Sequence, residues 1–121
     1  MARSNTLQVQ MQEVLNEYSE EVQKAMDEAL KEVPKQAAQR LRNTSPRKTG
    51  RYANGWAVKS EKGKAIVYNK TDWQLTHLLE NGHVIRNKKG TYGRAPARIH
   101  IKPVEEWASD ALVENIERRL D

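Results

Sequence analysis

The chain has 121 residues, no cysteine, a net charge of +5 and a mean hydropathy of −0.90. One continuous pattern of this length predicts a single domain, residues 1–121. Because only 37% of the residues are hydrophobic, the core is expected to be modest, and association would add stability. The absence of cysteine excludes disulfides and thiolate metal sites. No apolar stretch has the length of a signal core or a membrane span, which predicts a soluble protein made inside the cell.

Charge is distributed unevenly along the chain. Residues 1–42 carry 6 Lys/Arg and 7 Asp/Glu, residues 43–103 carry 13 and 3, and residues 104–121 carry 2 and 6. The middle is therefore basic and the tail acidic. A basic block of this size can bind nucleic acid, pair with acidic helices of a neighbouring copy, or only keep surface loops solvated.

Residues 1–42 read as an N-terminal helical segment, because apolar residues recur every three or four positions from Leu7 to Val33. A helix over about residues 5–42 is expected. Pro34 either kinks it or begins a second helix. The segment therefore either projects beyond its own core or folds back as a helical hairpin, and Pro46 ends it.

From Gly50 the hydrophobic period changes to two, which predicts a strand with Tyr52, Trp56 and Val58 on one face. Gly55 within this strand indicates a bulge or a close backbone approach. Residues 61–64 turn the chain, and residues 65–69 return as the second strand of a β-hairpin.

The remaining chain is expected to add a helix, a loop, a strand and a helix. Thr71 and Gln74 have the spacing of a capping box, so a short helix should follow and end at Gly82. Residues 83–97 are predicted to form a long basic loop, and residues 98–102 a last strand. Pro103 is expected at the first position of a C-terminal helix. The predicted fold is α+β: a small antiparallel β-sheet flanked by a long N-terminal helix and a C-terminal helix, with residues 43–121 holding the sheet, loop and last helix.

Two sets of residues suggest a metal site. His77, Glu80 and His83 have a spacing that suggests zinc, but the helix ends before His83, so the three side chains would not converge easily. Asp72, Glu80 and His100 could hold the divalent ion of a nuclease, although their spacing fits no known nuclease pattern. Neither metal nor cofactor is therefore expected.

Nucleic-acid binding is a third chemistry, since basic residues beside aromatics form platforms for single strands. Tyr52 and Trp56 share a strand face with Val58, however, so their expected place is the core. The residues for this role are Arg47, Lys48, Arg51, Lys88, Lys89 and Arg94, with Tyr52, Trp56 or Tyr92 as stacking partners.

Glu80 is physically unusual, because an anion in the last turn of a helix opposes the helix dipole. Arg51 is the expected partner for its charge. The alternative is that Glu80 is simply solvated.

Three blocks of the sequence resemble those of the phage head–tail joining family, the tail-completion or neck proteins that are minor structural proteins of long-tailed phages. The first is Ser45-Pro46 followed by Thr49-Gly50-Arg51, the second is Glu80-Asn81-Gly82, and the third covers residues 96–103 and the following Val104-Glu105-Glu106-Trp107. The resemblance covers about residues 41–120. Lys48 replaces the acid of many members, and Ile99 or Ile101 replaces an aromatic.

The resemblance implies a structural, non-enzymatic protein without cofactors that assembles into a ring, expected to be a hexamer. Its partners would be the head connector or stopper and the tail-tube or tail-terminator proteins, with DNA able to pass through the ring and no membrane involved. It would reside in the virion, and in the host cytoplasm during assembly. Residues 83–97 and the first block would order on docking. The alternatives are a sequence-independent nucleic-acid-binding protein and, less favoured, a metal-dependent nuclease. The candidate docking residues are Arg47, Lys48, Arg51, Glu80, Arg86, Lys88, Lys89 and Arg94.

Overall fold

A computed structural model describes residues 7–10, 19–61, 63–87 and 90–121. The predicted α+β class is confirmed, with a long N-terminal helix, small antiparallel sheets and a C-terminal helix. In chain order the elements are β1 (Leu7–Gln10), α1 (Glu20–Thr44), α2 (Arg51–Asn54), β2 (Trp56–Glu61), β3 (Lys64–Asn69), a 3₁₀ helix (Trp73–Leu75), α3 (Thr76–Asn81), β4 (His83–Asn87), β5 (Gly90–Ala95) and α4 (Ile101–Leu120).

Helix α1 begins at a residue that caps it. The Ser19 Oγ accepts a hydrogen bond from the Val22 N–H at 3.3 Å, and Glu20 and Glu21 place negative charge in the first turn. The helix runs for 25 residues and continues through Pro34, so the chain does not fold back there as a hairpin. Its buried stripe packs on the sheet and on α4 and comprises Ala25, Met26, Ala29, Leu30, Val33, Pro34, Ala37, Ala38 and Leu41.

The predicted helix over residues 5–42 is wrong at its beginning. Leu7–Gln10 forms β1, which pairs antiparallel with β3 from Leu7 opposite Val67 to Gln10 opposite Lys64. The apolar residues Leu7 and Val9 fit a strand period of two as well as a helix, and the open edge of β3 supplies backbone partners. Residues 11–18 of the predicted helix lie outside the described part of the chain.

The β2–β3 hairpin is confirmed, with Val58 opposite Val67, and β3 is the central strand of the order β1-β3-β2. Residues 51–54, however, form α2 where the first strand was expected. Gly50 has a φ of +89°, which turns the chain, and the Asn54 N–H then bonds to the Gly50 carbonyl at 2.9 Å. The strand therefore begins only at Trp56.

The expected loop over residues 83–97 is largely a second hairpin. β4 and β5 pair antiparallel from His83 opposite Ala95 to Asn87 opposite Gly90, with an irregularity between Val84 and Arg86. Glycines at positive φ interrupt β5, and the basic, polar composition hides the alternation that normally marks strands. These features explain why the sequence pattern indicated a loop.

Helix α4 begins at Ile101, so the strand predicted over residues 98–102 is wrong, and Pro103 is the third residue of the helix. The helix runs antiparallel to α1, since the Arg40 guanidinium lies 3.9 Å from the Trp107 ring centre near one end and Arg119 pairs with Glu32 near the other. The buried core joins α1, α2, the three-stranded sheet and α4, and its members are Val33, Ala37, Ala38, Leu41, Tyr52, Trp56, Val67, Ile101, Val104 and Ala108.

Leu41 tests this core. Its side chain is fully buried, so Leu41→Ala should lower the free energy of unfolding by about 2–5 kcal/mol. Lys35→Ala, an exposed position on the same helix, should change it by less than about 0.5 kcal/mol. Urea titration followed by circular dichroism measures both, and equal effects would place the core elsewhere.

Candidate docking site

Residues 45–56, here called the turn motif, are anchored at both ends to α1. The Ser45 Oγ accepts a hydrogen bond from the Trp56 indole N–H at 2.8 Å, and both groups are buried. The Arg42 guanidinium donates to the Trp56 carbonyl through Nε at 3.2 Å and Nη2 at 2.8 Å. The Ser-Pro block thus places a buried hydroxyl where the indole needs an acceptor.

The middle of the turn motif is also held by side chains. Arg47 donates to the Arg42 carbonyl at 2.8 Å and to the Asn54 Oδ1 at 3.4 Å. The Thr49 Oγ1 accepts from the Arg51 N–H at 3.3 Å. These bonds hold the motif within the single chain, and its ordering on docking stays a prediction.

Asn69 connects the turn motif to the chain that follows β3. Its Nδ2 donates to the Tyr52 carbonyl at 2.7 Å. Its Oδ1 accepts from the Asp72 N–H at 2.9 Å, the Thr71 N–H at 3.3 Å and the Thr71 hydroxyl at 3.0 Å. The capping box predicted for Thr71 and Gln74 is wrong, because Asp72 is the cap residue of the 3₁₀ helix and makes no side-chain cap bond. The Thr71 hydroxyl lies within hydrogen-bond distance of both the Asn69 Oδ1 and the Arg51 carbonyl, and its single hydrogen can be donated to either.

Sequence reasoning missed Asn69, although a signal was present: it is a polar residue in phase with the buried Ala65 and Val67 of β3. The close approach predicted at Gly55 is confirmed. A Cβ there would lie 2.7 Å from the Asn69 Oδ1 and closer still to the Thr71 Oγ1. Only glycine at position 55 leaves room for the Asn69 and Thr71 side chains against the backbone.

Glu80 binds the amino-terminal end of α4. Its Oε1 accepts from the His100 N–H at 2.8 Å and the Ile101 N–H at 2.9 Å, and its Oε2 accepts from the Lys102 N–H at 3.0 Å. The next residue, Pro103, has no N–H to satisfy. A single carboxylate from α3 therefore supplies acceptors for all of the first-turn amides of α4, whose own cap residue makes no side-chain cap bond.

The prediction that Arg51 partners Glu80 is wrong. The Arg51 Nε lies 3.3 Å from the Asp72 Oδ2, and its Nη2 donates to the Thr71 carbonyl at 3.4 Å. Glu80 sits at the unfavourable end of α3 but at the favourable, positive end of α4. The dipole of α4 therefore compensates for the unfavourable position of the Glu80 charge in α3.

His100 extends the buried network from Glu80 to α2. Its Nδ1 lies 2.6 Å from the Arg98 carbonyl and 3.0 Å from the Glu80 Oε1. Both oxygens can only accept, since the Glu80 carboxylate is ionised, so Nδ1 carries the hydrogen. The Nε2 lies 2.7 Å from the Tyr52 hydroxyl. The network therefore joins the second and third sequence blocks to the turn motif, which contains the first block.

The environment shifts two pKa values in this network. Burial raises the pKa of the Glu80 carboxyl, but hydrogen bonds from the Ile101, His100 and Lys102 backbone, together with the proximity of His100, lower it more, so the pKa lies below the ordinary 4.5. Burial, and then the charge of Glu80, raise the pKa of the Tyr52 hydroxyl above its ordinary 10.0. Glu80 is therefore ionised and Tyr52 neutral near neutral pH.

An open cavity of about 570 Å³ lies between the turn motif and α3, and is here called the basic cavity. Its walls combine an apolar floor with four cations and one acid. Asp72 is that acid, and it is paired with Arg51. The lining residues are Pro46, Arg47, Lys48, Thr49, Gly50, Arg51, Tyr52, Asp72, Leu75, Leu79 and Arg98.

The candidate docking residues fall into separate groups. Arg47, Lys48 and Arg51 line the basic cavity, together with Arg98, which sequence reasoning did not select. Glu80 is buried beside it, 7% exposed. Of the remaining cations, Arg86 lies in β4 and Arg94 is exposed in β5, while Lys88 and Lys89 lie outside the described residues.

The metal and stacking hypotheses find their residues in other roles. Glu80 and His100 lie together but bind backbone, while Asp72 pairs with Arg51. In the described ranges no group of three or more His, Asp or Glu residues could hold a metal ion. Tyr52 and Trp56 are buried in the core, as expected, with ring centres 5.7 Å apart; the side chain of Tyr92 is not among those described.

Comparison with known proteins identifies the family. Residues 10–82 match the family described as "Bacteriophage HK97-gp10, putative tail-component". This range is more than half of the 121 residues, and the chain belongs to this family of phage tail components. No curated protein and no solved structure matches the chain.

The matched range includes the turn motif and ends at Gly82, so it contains two of the three blocks and the Glu80 carboxylate, while the third block lies beyond it. Membership makes the chain a virion-associated structural protein. None of the helices within the described residues is long and apolar enough to cross a membrane.

Glu80→Gln tests the helix cap. The substitution keeps the shape but replaces one acceptor oxygen by an N–H donor group, so at least one first-turn N–H of α4 loses its partner. We expect the free energy of unfolding to fall by about 1–3 kcal/mol. Asp110→Asn, which removes the same charge from an exposed position of α4, should change it by less than about 0.5 kcal/mol. Urea titration of both variants decides; equal losses would contradict the capping role.

The cap should also depend on pH. Because the pKa of Glu80 is lowered on folding, the folded chain binds the proton more weakly than the unfolded chain. The contribution of ionised Glu80 to the free energy of unfolding is therefore complete above the ordinary pKa of 4.5. It is lost as the pH falls through the lower pKa that Glu80 has in the folded chain. The difference in unfolding free energy between the wild type and Glu80→Gln should therefore shrink as the pH falls below 4.5. A difference that stays constant to pH 3 would contradict this assignment.

Proposed function

We propose that this tail component joins the phage head to the tail, as a ring, expected to be a hexamer, between the head connector or stopper and the tail-tube or tail-terminator proteins. Membership in the tail-component family supports a structural role. The three sequence blocks that resemble head–tail joining proteins support the narrower one. DNA would pass through the ring on its way to the tail.

The observation that carries the proposal is that buried polar residues hold the fold while cations are exposed on its surface. Ser45, Asn69 and Glu80 are buried and fully engaged in holding the turn motif, α3 and α4 in place. Lys48 is exposed on that scaffold, and Arg94 is exposed on the β4–β5 hairpin. A rigid frame that presents cations suits docking to acidic protein surfaces, and we propose assembly as the mechanism.

Docking is assigned to two surfaces. The basic cavity contributes Arg47, Lys48 and Arg51, and the β4–β5 hairpin contributes Arg86, Lys88, Lys89 and Arg94. Glu80 positions these surfaces from within. The hairpin cations would meet the head or tail partner, because the hairpin packs chiefly within itself and leaves Val84 and Arg94 exposed.

Neutralising the hairpin tests the joining function. A variant with Gln at positions 86, 88, 89 and 94 should fail to join, while its circular dichroism spectrum and urea midpoint should match those of the wild type. An infection complemented only by this variant should accumulate DNA-filled heads and separate finished tails, counted by electron microscopy.

A matched control removes four exposed cations elsewhere, with Gln at positions 24, 31, 35 and 70, and should give normal virions. Normal virions from the hairpin variant would show that the hairpin does not dock. Normal virions without the gene would overturn the joining role. Loss of salt-dependent DNA binding by the hairpin variant, with joining intact, would favour the nucleic-acid-binding alternative.

A further inference from the structure

Helix α4 carries a second stripe, opposite to the face that packs on the core. Glu106, Asp110, Val113, Glu117 and Leu120 follow one another at alternating spacings of four and three residues, and all are exposed. At 100° per residue they lie within about 80° of the helix circumference. This stripe, here called the acidic ridge, combines three carboxylates with two large apolar side chains, of which Val113 is 56% and Leu120 37% exposed.

The acidic ridge has no partner within the described part of the chain. Its three carboxylates make no ion pair or hydrogen bond there. The same holds for the side chains of Lys48 and Arg98 at the basic cavity. The chain thus displays unpaired acids beside exposed apolar groups on one surface, and unpaired cations above an apolar floor on another.

We propose that the basic cavity of one copy binds the acidic ridge of a second copy. The ridge carboxylates would meet Lys48 and Arg98, and Val113 or Leu120 would cover the apolar floor formed by Leu75 and Leu79. This inference deepens the proposed joining role by naming the contact between neighbouring subunits, and it rests on that role.

Two exposed apolar residues stand next in the chain to lining residues of the cavity. Trp73 is 60% exposed and follows the lining residue Asp72, while Ile99 is 64% exposed and follows the lining residue Arg98. Large apolar residues, tryptophan above all, supply much of the binding energy at protein interfaces. Burial of these two side chains would add apolar area to the contact that the cavity lining makes.

The geometry makes this contact intermolecular. Arg98 precedes the first turn of α4, whereas Glu117 lies 16 residues beyond Ile101, or about 24 Å along the helix. The far part of the ridge, from Val113 to Leu120, therefore cannot reach the cavity of its own copy. Because two different surfaces meet, the contact is head to tail, and such contacts generate closed rings or open filaments.

Charge reversal tests the contact in solution. The cavity variant carries Lys48→Glu and Arg98→Glu, and the ridge variant carries Asp110→Lys and Glu117→Lys. Neither pair makes contacts that hold the fold. Sedimentation velocity over a concentration series should show that each variant associates at least tenfold more weakly than the wild type. A control with Lys24→Glu and Lys35→Glu, on the exposed face of α1, should associate normally.

An equimolar mixture of the two variants tests whether the reversed ridge binds the reversed cavity. In an alternating assembly, every wild-type ridge meets a wild-type cavity and every reversed ridge meets a reversed cavity, so association should return to within about threefold of the wild type. The inference would be overturned if the single variants associate as strongly as the wild type, or if the mixture does not restore their weakened association. A wild type that stays monomeric at millimolar concentration would overturn it as well.

The infection assay separates this inference from the joining role. If the variants associate normally but the gene is essential for joining, the ridge contact is wrong and the joining role stands. If association behaves as expected but virions form without the gene, the contact stands and the joining role is wrong. Loss of DNA binding by the cavity variant with unchanged self-association would assign the cavity to a polyanion and overturn the contact.

Discussion

The fold depends on one carboxylate placed between two helix ends. The first amides of a helix need acceptors, and leaving them buried without partners costs free energy. In α4 those amides belong to His100, Ile101 and Lys102, and both oxygens of Glu80 satisfy them. Without this carboxylate, α4 would begin with unpaired donors inside the protein. Glu80 therefore fixes both where α4 begins and how it is attached to α3.

The same carboxylate links distant parts of the chain. His100 lies between Glu80 and the Tyr52 hydroxyl of α2, and the Asn69 side chain binds the Tyr52 carbonyl from the end of β3. The walls of the basic cavity include Tyr52, Leu79 and Arg98, each of which belongs to this network or adjoins one of its members. Buried hydrogen bonds thus hold the shape of a surface whose exposed part is cationic.

Much of the fold could be predicted where a pattern had one physical interpretation. The stripe of α1 recurs over many turns, and the β2–β3 hairpin combines alternation with a turn. The failures occur where local patterns have two interpretations. The stretch from Leu7 to Gln10 is too short to distinguish a helix from a strand, and the pairing edge of β3, which decides it, is distant in sequence.

The candidate site shows the same limit for polar groups. A sequence shows that Glu80 opposes the dipole of its own helix, but it does not show that the end of another helix lies against it. Asn69 was missed for a related reason, because a buried amide is recognised by its partners, and these come from α2 and the chain after β3. Arg98 joined the cavity only through the fold, since the hydrogen bond from its N–H to the Leu79 carbonyl, 2.7 Å long, brings it against α3.

The division between buried and exposed charge has a consequence for assembly. Glu80 is ionised and neutralised inside the fold, so it contributes nothing to the surface that a neighbour meets. The exposed acids of the ridge run along α4 on the face opposite the core, and the cavity cation Arg98 lies before the first turn of that helix. Because the other face of α4 packs on the core, the far part of the ridge cannot enter the cavity of its own copy. The side chains of Lys48, Arg98 and the ridge carboxylates make no bond that holds the fold within the described residues, so they can be altered without disturbing Glu80 or Asn69, whereas Arg47 and Arg51 serve both the fold and the cavity.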